Sequence, residues 1–155
     1  MREEIGMKLL KWLSVADRFA KIYLDNQLAP FGINSSQHMY LLKVCNQPGI
    51  TQDSFLNSFY VHPSNIVRMI ISLEKRGLLT RVSCENDKRT WCLYPTKKAL
   101  EIVEQVNIAC ARTEAVLTEQ LSEEEKAVFE GLLMKAGKQI ANELHVERME
   151  DEFDE

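Results

Sequence analysis

Between Pro63 and Gly77 runs a segment, PSNIVRMIISLEKR, bounded by residues well suited to start and stop a helix. Proline fits the first helical turn, where its missing N–H would have no partner anyway. Glycine accepts the left-handed conformation that closes a helix. Ile66, Ile70 and Leu73 fall on one face of this segment, leaving Ser64, Asn65, Arg68, Ser72 and Lys75 mostly outside it. Directly after it, residues 78–82 and 90–94 are rich in β-formers and are joined by the polar link Glu85-Asn86-Asp87-Lys88-Arg89, which predicts a hairpin. A helix stopped and followed at once by a charged hairpin leaves few architectures open.

The flanks narrow them further. Ile5, Leu9, Trp12, Leu13, Ala16, Phe19, Tyr23 and Leu24 keep helical spacing, so a long first helix is expected, ended by Ala29-Pro30 and Gly32. Asn34 and Gln37 stand in capping-box register before a second helix that runs to about Cys45. Pro48-Gly49 separates it from a short helix, TQDSFLNSF, which Thr51 is expected to cap. A fifth helix from Pro95 places Leu100, Val103, Val106, Cys110 and Leu117 on one side. A capping box at Ser122–Glu125 opens a sixth, with Val128, Leu132, Ala136, Ile140 and Leu144 about one turn apart.

This order predicts a mainly α chain with a small two- or three-stranded β wing, a winged helix-turn-helix flanked by long dimerisation helices. The expected divisions are an N-terminal dimerisation helix (1–33), the DNA-binding unit (34–98), C-terminal dimerisation helices (99–145) and an acidic tail (146–155). The outer helices are too long and too apolar on one face to be satisfied in a small core. A second copy of the chain is therefore the expected partner.

Charge distribution matters more here than total charge. The chain of 155 residues has a net charge of −4, which alone argues against an anionic partner. Yet between Thr51 and Lys98 eight basic residues face four acids, a local +4 that leaves −8 for the remainder. Local potential decides where a phosphate backbone docks. An ordinary globular composition, 45% hydrophobic and 27% charged, with no apolar run near the ~20 residues of a membrane span, points to a cytoplasmic protein with no membrane partner.

In a helix-turn-helix, one helix enters the major groove with its N-terminal residues against base edges. The helix from Pro63 suits that role, since Asn pairs with adenine, Arg with guanine, and Val67 offers a surface to a thymine methyl. The candidate DNA-binding residues are Ser64, Asn65, Val67 and Arg68, with Thr51 and Gln52 from the preceding short helix and Lys88 and Arg89 from the hairpin tip. Arg89 is placed like an arginine that enters the minor groove, and Asp87, two residues earlier, is close enough to orient its guanidinium. A solvated amphipathic helix or a charged hairpin is common alone; the conjunction of the two favours double-stranded DNA as the partner.

The stretch from Gln47 to Ala99 resembles the winged-helix core of the MarR (multiple antibiotic resistance regulator) family. The resemblance rests on P-G-I-T-Q before the short helix, Ser64-x-x-x-Arg68, L-E-K-R-G-L-L-T-R, the D-K-R wing, and P-T-K-K-A, similar to the family's L-T-x-x-G. It departs from the pattern at Pro95 and Ala99. It implies a transcriptional regulator, taken as a repressor, that is a homodimer built from helices 1, 5 and 6 on a pseudo-palindromic operator. It also implies Arg89 as the wing arginine with Asp87 its partner, and Ser64, Asn65 and Arg68 as groove residues. Such regulators often release DNA when a small aromatic or anionic effector binds, and Trp12, Phe19, Tyr23, His38 and Tyr40 are the candidate lining. Aromatic residues at helical spacing also serve as plain core.

Other chemistries find little purchase. No Gly-rich phosphate loop, GxSxG or HExxH appears, so the chain is not expected to be an enzyme or to hold a cofactor. Cys45, Cys84, Cys92 and Cys110 lie far apart without zinc-finger spacing, and no metal site is expected. If the hairpin sets Cys84 opposite Cys92, their Cβ atoms are about 4.5–5.5 Å apart, near disulfide reach. A shift by one residue puts them on opposite faces, and the loop does not decide between the two. The plainer alternative is Cys92 as a small core residue with Cys84 half exposed.

Overall fold

The computed structural model of the protein describes residues 7–144. In chain order it has α1 (Met7–Leu28), α2 (His38–Asn46), β1 (Ile50–Thr51), α3 (Phe55–Phe59), α4 (Pro63–Lys75), β2 (Leu79–Ser83), β3 (Trp91–Pro95), α5 (Lys97–Leu117) and α6 (Glu123–Glu143). The fold is mainly α with a three-stranded antiparallel sheet, in the order β1-β3-β2. Strand β1 is only two residues long, too short to leave an alternating pattern. Ile5 and the acidic tail lie outside the described residues.

Local chemistry accounts for most boundaries. Gln37 Oε1 accepts the Asn34 N–H as expected, but the Asn34 carboxamide accepts the Ser36 N–H instead of that of Gln37, so the box is only half formed and α2 begins at His38 without a side-chain cap. Gly77 takes φ +70° after α4. Ser122 and Glu125 form the full capping box of α6. Thr51 differs from expectation: it is extended, its side chain caps nothing, and Ser54 Oγ instead donates to its carbonyl. Pro95 also differs, since it completes β3 opposite Leu79. A proline at a strand end gives up little of the ladder. Helix α5 begins later, at Lys97, where Thr96 Oγ1 accepts the Ala99 N–H and donates to the Gly77 carbonyl.

The core lies where α2, α4 and the sheet meet the C-terminal end of α1 and the first half of α5. Ile66, Ile70 and Leu73 of α4 are buried there with Leu41, Val44, Phe55, Leu79 and Leu93. Leu24 and Leu28 are the two residues by which α1 enters it. On α5 the buried line is Ala99, Val106, Ala109 and Thr113, whereas Leu100 and Leu117 are exposed. The expected apolar stripe of α5 is therefore two surfaces, one turned into the core and one turned away. Helix α6 buries no residue at all.

The hairpin register also departs from expectation. Val82 faces Cys92 and Ser83 faces Trp91, and the Cys84 N–H donates to the Thr90 carbonyl at 2.9 Å. Cys84 is thus diagonal to Cys92, and the two are nonetheless joined by a disulfide with Cα atoms 5.3 Å apart. A two-stranded ribbon twists more than a wide sheet, which draws one set of diagonals together. The separation is within ordinary disulfide span.

Leu93 is fully buried on the central strand, between β1 and β2. Leu93→Ala is expected to destabilise the fold by about 2–5 kcal/mol, the range for deleting a buried leucine. Urea unfolding followed by circular dichroism measures it, and a loss under about 1 kcal/mol would place the core elsewhere.

Candidate nucleic-acid interface

The outer face of α4 is set by its start. His62 precedes Pro63, and its Nδ1 accepts the Ser64 N–H at 3.1 Å while lying 2.7 Å from Ser64 Oγ. Histidine is not a usual cap, so this contact left no signal in the sequence. It satisfies one of the orphan donors of the first turn. The acceptor role leaves the proton of a neutral ring on Nε2. Just before α4, Tyr60 adopts φ 52°, a left-handed turn that ends α3 and swings the chain into the next helix.

From this start, Ser64, Val67 and Arg68 are exposed and Asn65 is half-buried. A shallow strip on this face is lined by Ser64, Val67, Arg68, Ile71, Ser72 and Lys75. Arg68 Nη2 donates to Asn65 Oδ1 at 2.7 Å, so the two side chains form one unit one turn apart. The amide then holds the guanidinium, instead of presenting its oxygen unaided to a base. Ser72 is drawn out of the outward set: its hydroxyl accepts from the buried Gln37 amide at 2.6 Å, bracing α4 against the start of α2.

The wing tip is organised by Asp87, though not as expected. Its carboxylate accepts the Arg89 backbone N–H at 3.0 Å and the Thr90 hydroxyl at 3.2 Å. Thr90 N–H closes the turn on the Asp87 carbonyl at 3.0 Å. Asp87 thus shapes the backbone that carries Arg89 and makes no recorded bond to the guanidinium. An Asp side chain bonding two residues ahead is an ordinary Asx turn. Lys88 and Arg89 are both exposed.

Helix and wing are tied together by a link that sequence reasoning missed. Arg81 of β2 pairs with Glu74 of α4 at 2.8 Å and lies over the Trp91 ring, 4.9 Å from its centroid. The pair is partly exposed, so it contributes modestly, on the order of 0–1 kcal/mol. Nothing in the spacing of Glu74, Arg81 and Trp91 announces that they meet. Lys98 also reaches back, donating to the Arg76 carbonyl at 2.9 Å near the end of α4.

The remaining candidates are scattered. Thr51 and Gln52 are half-buried, and Gln52 Oε1 is buried with no hydrogen-bond partner. Trp12 and Phe19 stand on the outer face of α1, 62% and 58% exposed, while Tyr23 and His38 are half-buried. Tyr40 belongs to the core, its ring 5.0 Å from Phe55 and 5.1 Å from Phe59. The single chain therefore does not gather these five around one space. Among the described residues no cluster of three or more His, Cys, Asp and Glu is arranged to hold a metal. No helix among them is long and apolar enough to cross a membrane.

His38 donates through Nδ1 to the Ser35 carbonyl at 2.7 Å. Burial lowers its pKa below 6.5, against the opposing pull of that bond and of Asp25. A histidine with a lowered folded-state pKa binds fewer protons than it does unfolded, so stability falls as pH drops below 6.5 toward the folded value. Urea midpoints at about pH 7.5 and 5.5 are expected to show this loss, and His38→Gln to reduce it. Equal losses in both proteins would assign the acid sensitivity to other groups.

With this geometry in view, the comparisons converge. A model of the MarR family matches residues 33–91. The putative transcriptional regulatory protein for the hcr operon of Thauera aromatica is 26% identical over 140 residues, 90% of this chain and 82% of that protein. The structure of a MarR protein from Peptoclostridium difficile superposes with a TM-score of 0.82 at 26% identity, covering 91% of this chain and 92% of that one. A mutant MarR from E. coli complexed with operator DNA matches with a TM-score of 0.75 at 25% identity, over 86% and 95% of the two chains.

Proposed function

We propose that this chain, which belongs to the MarR family of transcriptional regulators through its winged helix at residues 33–91, binds double-stranded operator DNA as a homodimer and represses from it. The observation that carries the reading is the capped α4, with Ser64, Val67 and Arg68 exposed on a helix coupled by Glu74 and Arg81 to a wing tipped with Lys88 and Arg89. In this reading the α4 residues meet base edges in the major groove and the wing meets the backbone or the adjacent minor groove. Asn65 acts with Arg68 as a unit. In this reading the site works in the cytoplasm, without a cofactor or catalytic step.

The dimer is argued from what one copy leaves uncovered. Val128, Leu132 and Ile140 of α6 are 59%, 59% and 61% exposed, and Leu9, Val116 and Leu117 are exposed as well. A helix draws most of its stability from packing an apolar face. A helix of 21 residues with nothing buried lacks that support within one chain. A second copy is the occupant that supplies matching faces, and it sets two copies of α4 on two half-sites. The regions 1–33 and 99–145 serve dimerisation and 34–98 serves DNA binding, although α1 and α5 also join the core.

The reading includes release by a small aromatic or anionic effector, with Trp12, Phe19, Tyr23 and His38 as its lining. Tyr40 is left out because its ring is committed to Phe55 and Phe59.

Two substitutions separate the two kinds of contact. Arg89→Ala is expected to cost about 1–3 kcal/mol in binding to a selected duplex while leaving fold and dimer intact. Arg68→Ala is expected to lose a similar amount and to relax preference at one position per half-site. Titration of wild-type and variant proteins against selected and single-base-changed duplexes reads both. Unchanged Arg89→Ala affinity removes the wing from the mechanism; an equal Arg68→Ala loss on every duplex makes Arg68 a phosphate contact.

Sedimentation equilibrium at micromolar concentration is expected to give a species of twice the chain mass. Leu132→Arg, on the exposed face of α6, is expected to shift it to monomer. A monomeric wild-type protein refutes the dimer.

A further inference from the structure

We propose that Cys84 and Cys92 form a thiol–disulfide exchange site in the wing, closed by a low-molecular-weight disulfide and reopened by a dithiol, and that closing it tightens operator binding. This rests on the reading that the wing touches DNA. The site is built by register. Cys84 lies one residue beyond β2, Cys92 lies on β3, and the diagonal between them brings their Cα atoms to 5.3 Å. Both are half-buried on the hairpin, outside the hydrophobic core, where a small reagent reaches the sulfurs. The other two cysteines offer no such pair. Cys45 and Cys110 are packed against the core, and burial pushes both thiols up.

The chemistry balances without further reagents. The thiolate of one cysteine attacks a sulfur of the small disulfide, the S–S bond breaks, and one small thiolate leaves. The second cysteine's thiolate then attacks the protein sulfur of the mixed disulfide and expels the second small thiolate. The two protein thiols lose two protons and two electrons. The small disulfide gains both and becomes two thiols. A dithiol reverses the sequence and is itself oxidised.

The consequence follows from where the bond sits. It closes the hairpin immediately below the turn that carries Lys88 and Arg89. Without it, the tip is held by the Cys84–Thr90 and Thr90–Asp87 backbone bonds and by the Asp87 carboxylate, all at the surface. Such bonds are individually weak against water. A tip that opens must be reordered on the DNA, and that ordering is charged against affinity. The covalent bond removes this cost beforehand, leaving the α4 contacts as they were.

The test uses the full chain and a duplex recovered by selecting a random-sequence pool with the wild-type protein. The protein is equilibrated with a high ratio of oxidised to reduced glutathione or with reduced dithiothreitol, alkylated, and examined by peptide mass spectrometry, with the duplex titrated in parallel. Cys84 and Cys92 are expected to be protected at the oxidised ratio and alkylated at the reduced one. Oxidised protein should bind about fivefold tighter. Cys84→Ser and, as a second variant, Cys92→Ala should bind like reduced wild type at both ratios. Alkylation of both cysteines at the oxidised ratio overturns the site. Protection with affinities equal within about twofold overturns its effect on binding. Arg89→Ala carried alongside keeps the failures apart: if it binds like wild type the wing reading has failed, while the thiol count still reports the bond.

Discussion

Ile66, Ile70 and Leu73 are packed against α2, α3 and the sheet at near-zero exposure, and they sit on a helix whose ends are both pinned. Because an α-helix is rigid, fixing one face fixes the other. The placement of Ser64, Val67 and Arg68 is therefore a consequence of core packing, sharpened by the His62 cap and by the Gln37–Ser72 brace. Loss of packing beneath α4 would rotate or loosen every outward side chain together. A surface built this way reads position accurately, which suits hydrogen bonds to base edges.

The wing is held by a different kind of interaction. Beyond the ladder and the Cys84–Cys92 bond, its tip depends on an Asx turn and a few surface hydrogen bonds, and its attitude toward α4 on one partly exposed ion pair with a ring beneath it. These are small energies. The interface thus joins a helix whose geometry the core enforces to a hairpin whose geometry is adjustable. Groove width and backbone path vary with sequence, so an adjustable arm suits contacts that follow shape. It also explains why a covalent bond has leverage in the hairpin and would have little in α4.

Much of this was legible in the sequence, and the boundary of legibility is physical. Helix α4 and the wing were readable because Pro63, Gly77 and the polar link are local signals whose effect needs no distant partner. The capping box of α6 was readable for the same reason. The brief β1 was not, since two residues carry no period. The start of α5 was misplaced because Pro95 serves equally as a strand end and as a first-turn residue, and the pairing with Leu79 decides it. Asp87 was expected to hold the Arg89 guanidinium and accepts the Arg89 backbone N–H instead, as spacing says which residues are near and not which atom wins. Gln37–Ser72 and Glu74–Arg81 were invisible, being set by how elements pack, and the local His62 cap was missed because histidine is not a usual capping residue.

The outer helices make the same distinction at a larger scale. Apolar spacing gives α1, α5 and α6 faces to bury, but spacing cannot say against what. Helix α5 divides its apolar residues between Val106 and Ala109, turned into the core, and Leu100 and Leu117, turned away. Helix α1 does so along its length, with Leu24 and Leu28 inside and Leu9 and Trp12 outside. Helix α1 thus has one end in the core that positions α4, whereas α5 turns one face to that core from Ala99 to Thr113 and the other face outward. Leu28 and Val106 belong to the same buried cluster as Ile66, Ile70 and Leu73, so the helices that expose apolar faces and the helix that presents Arg68 are founded on one core.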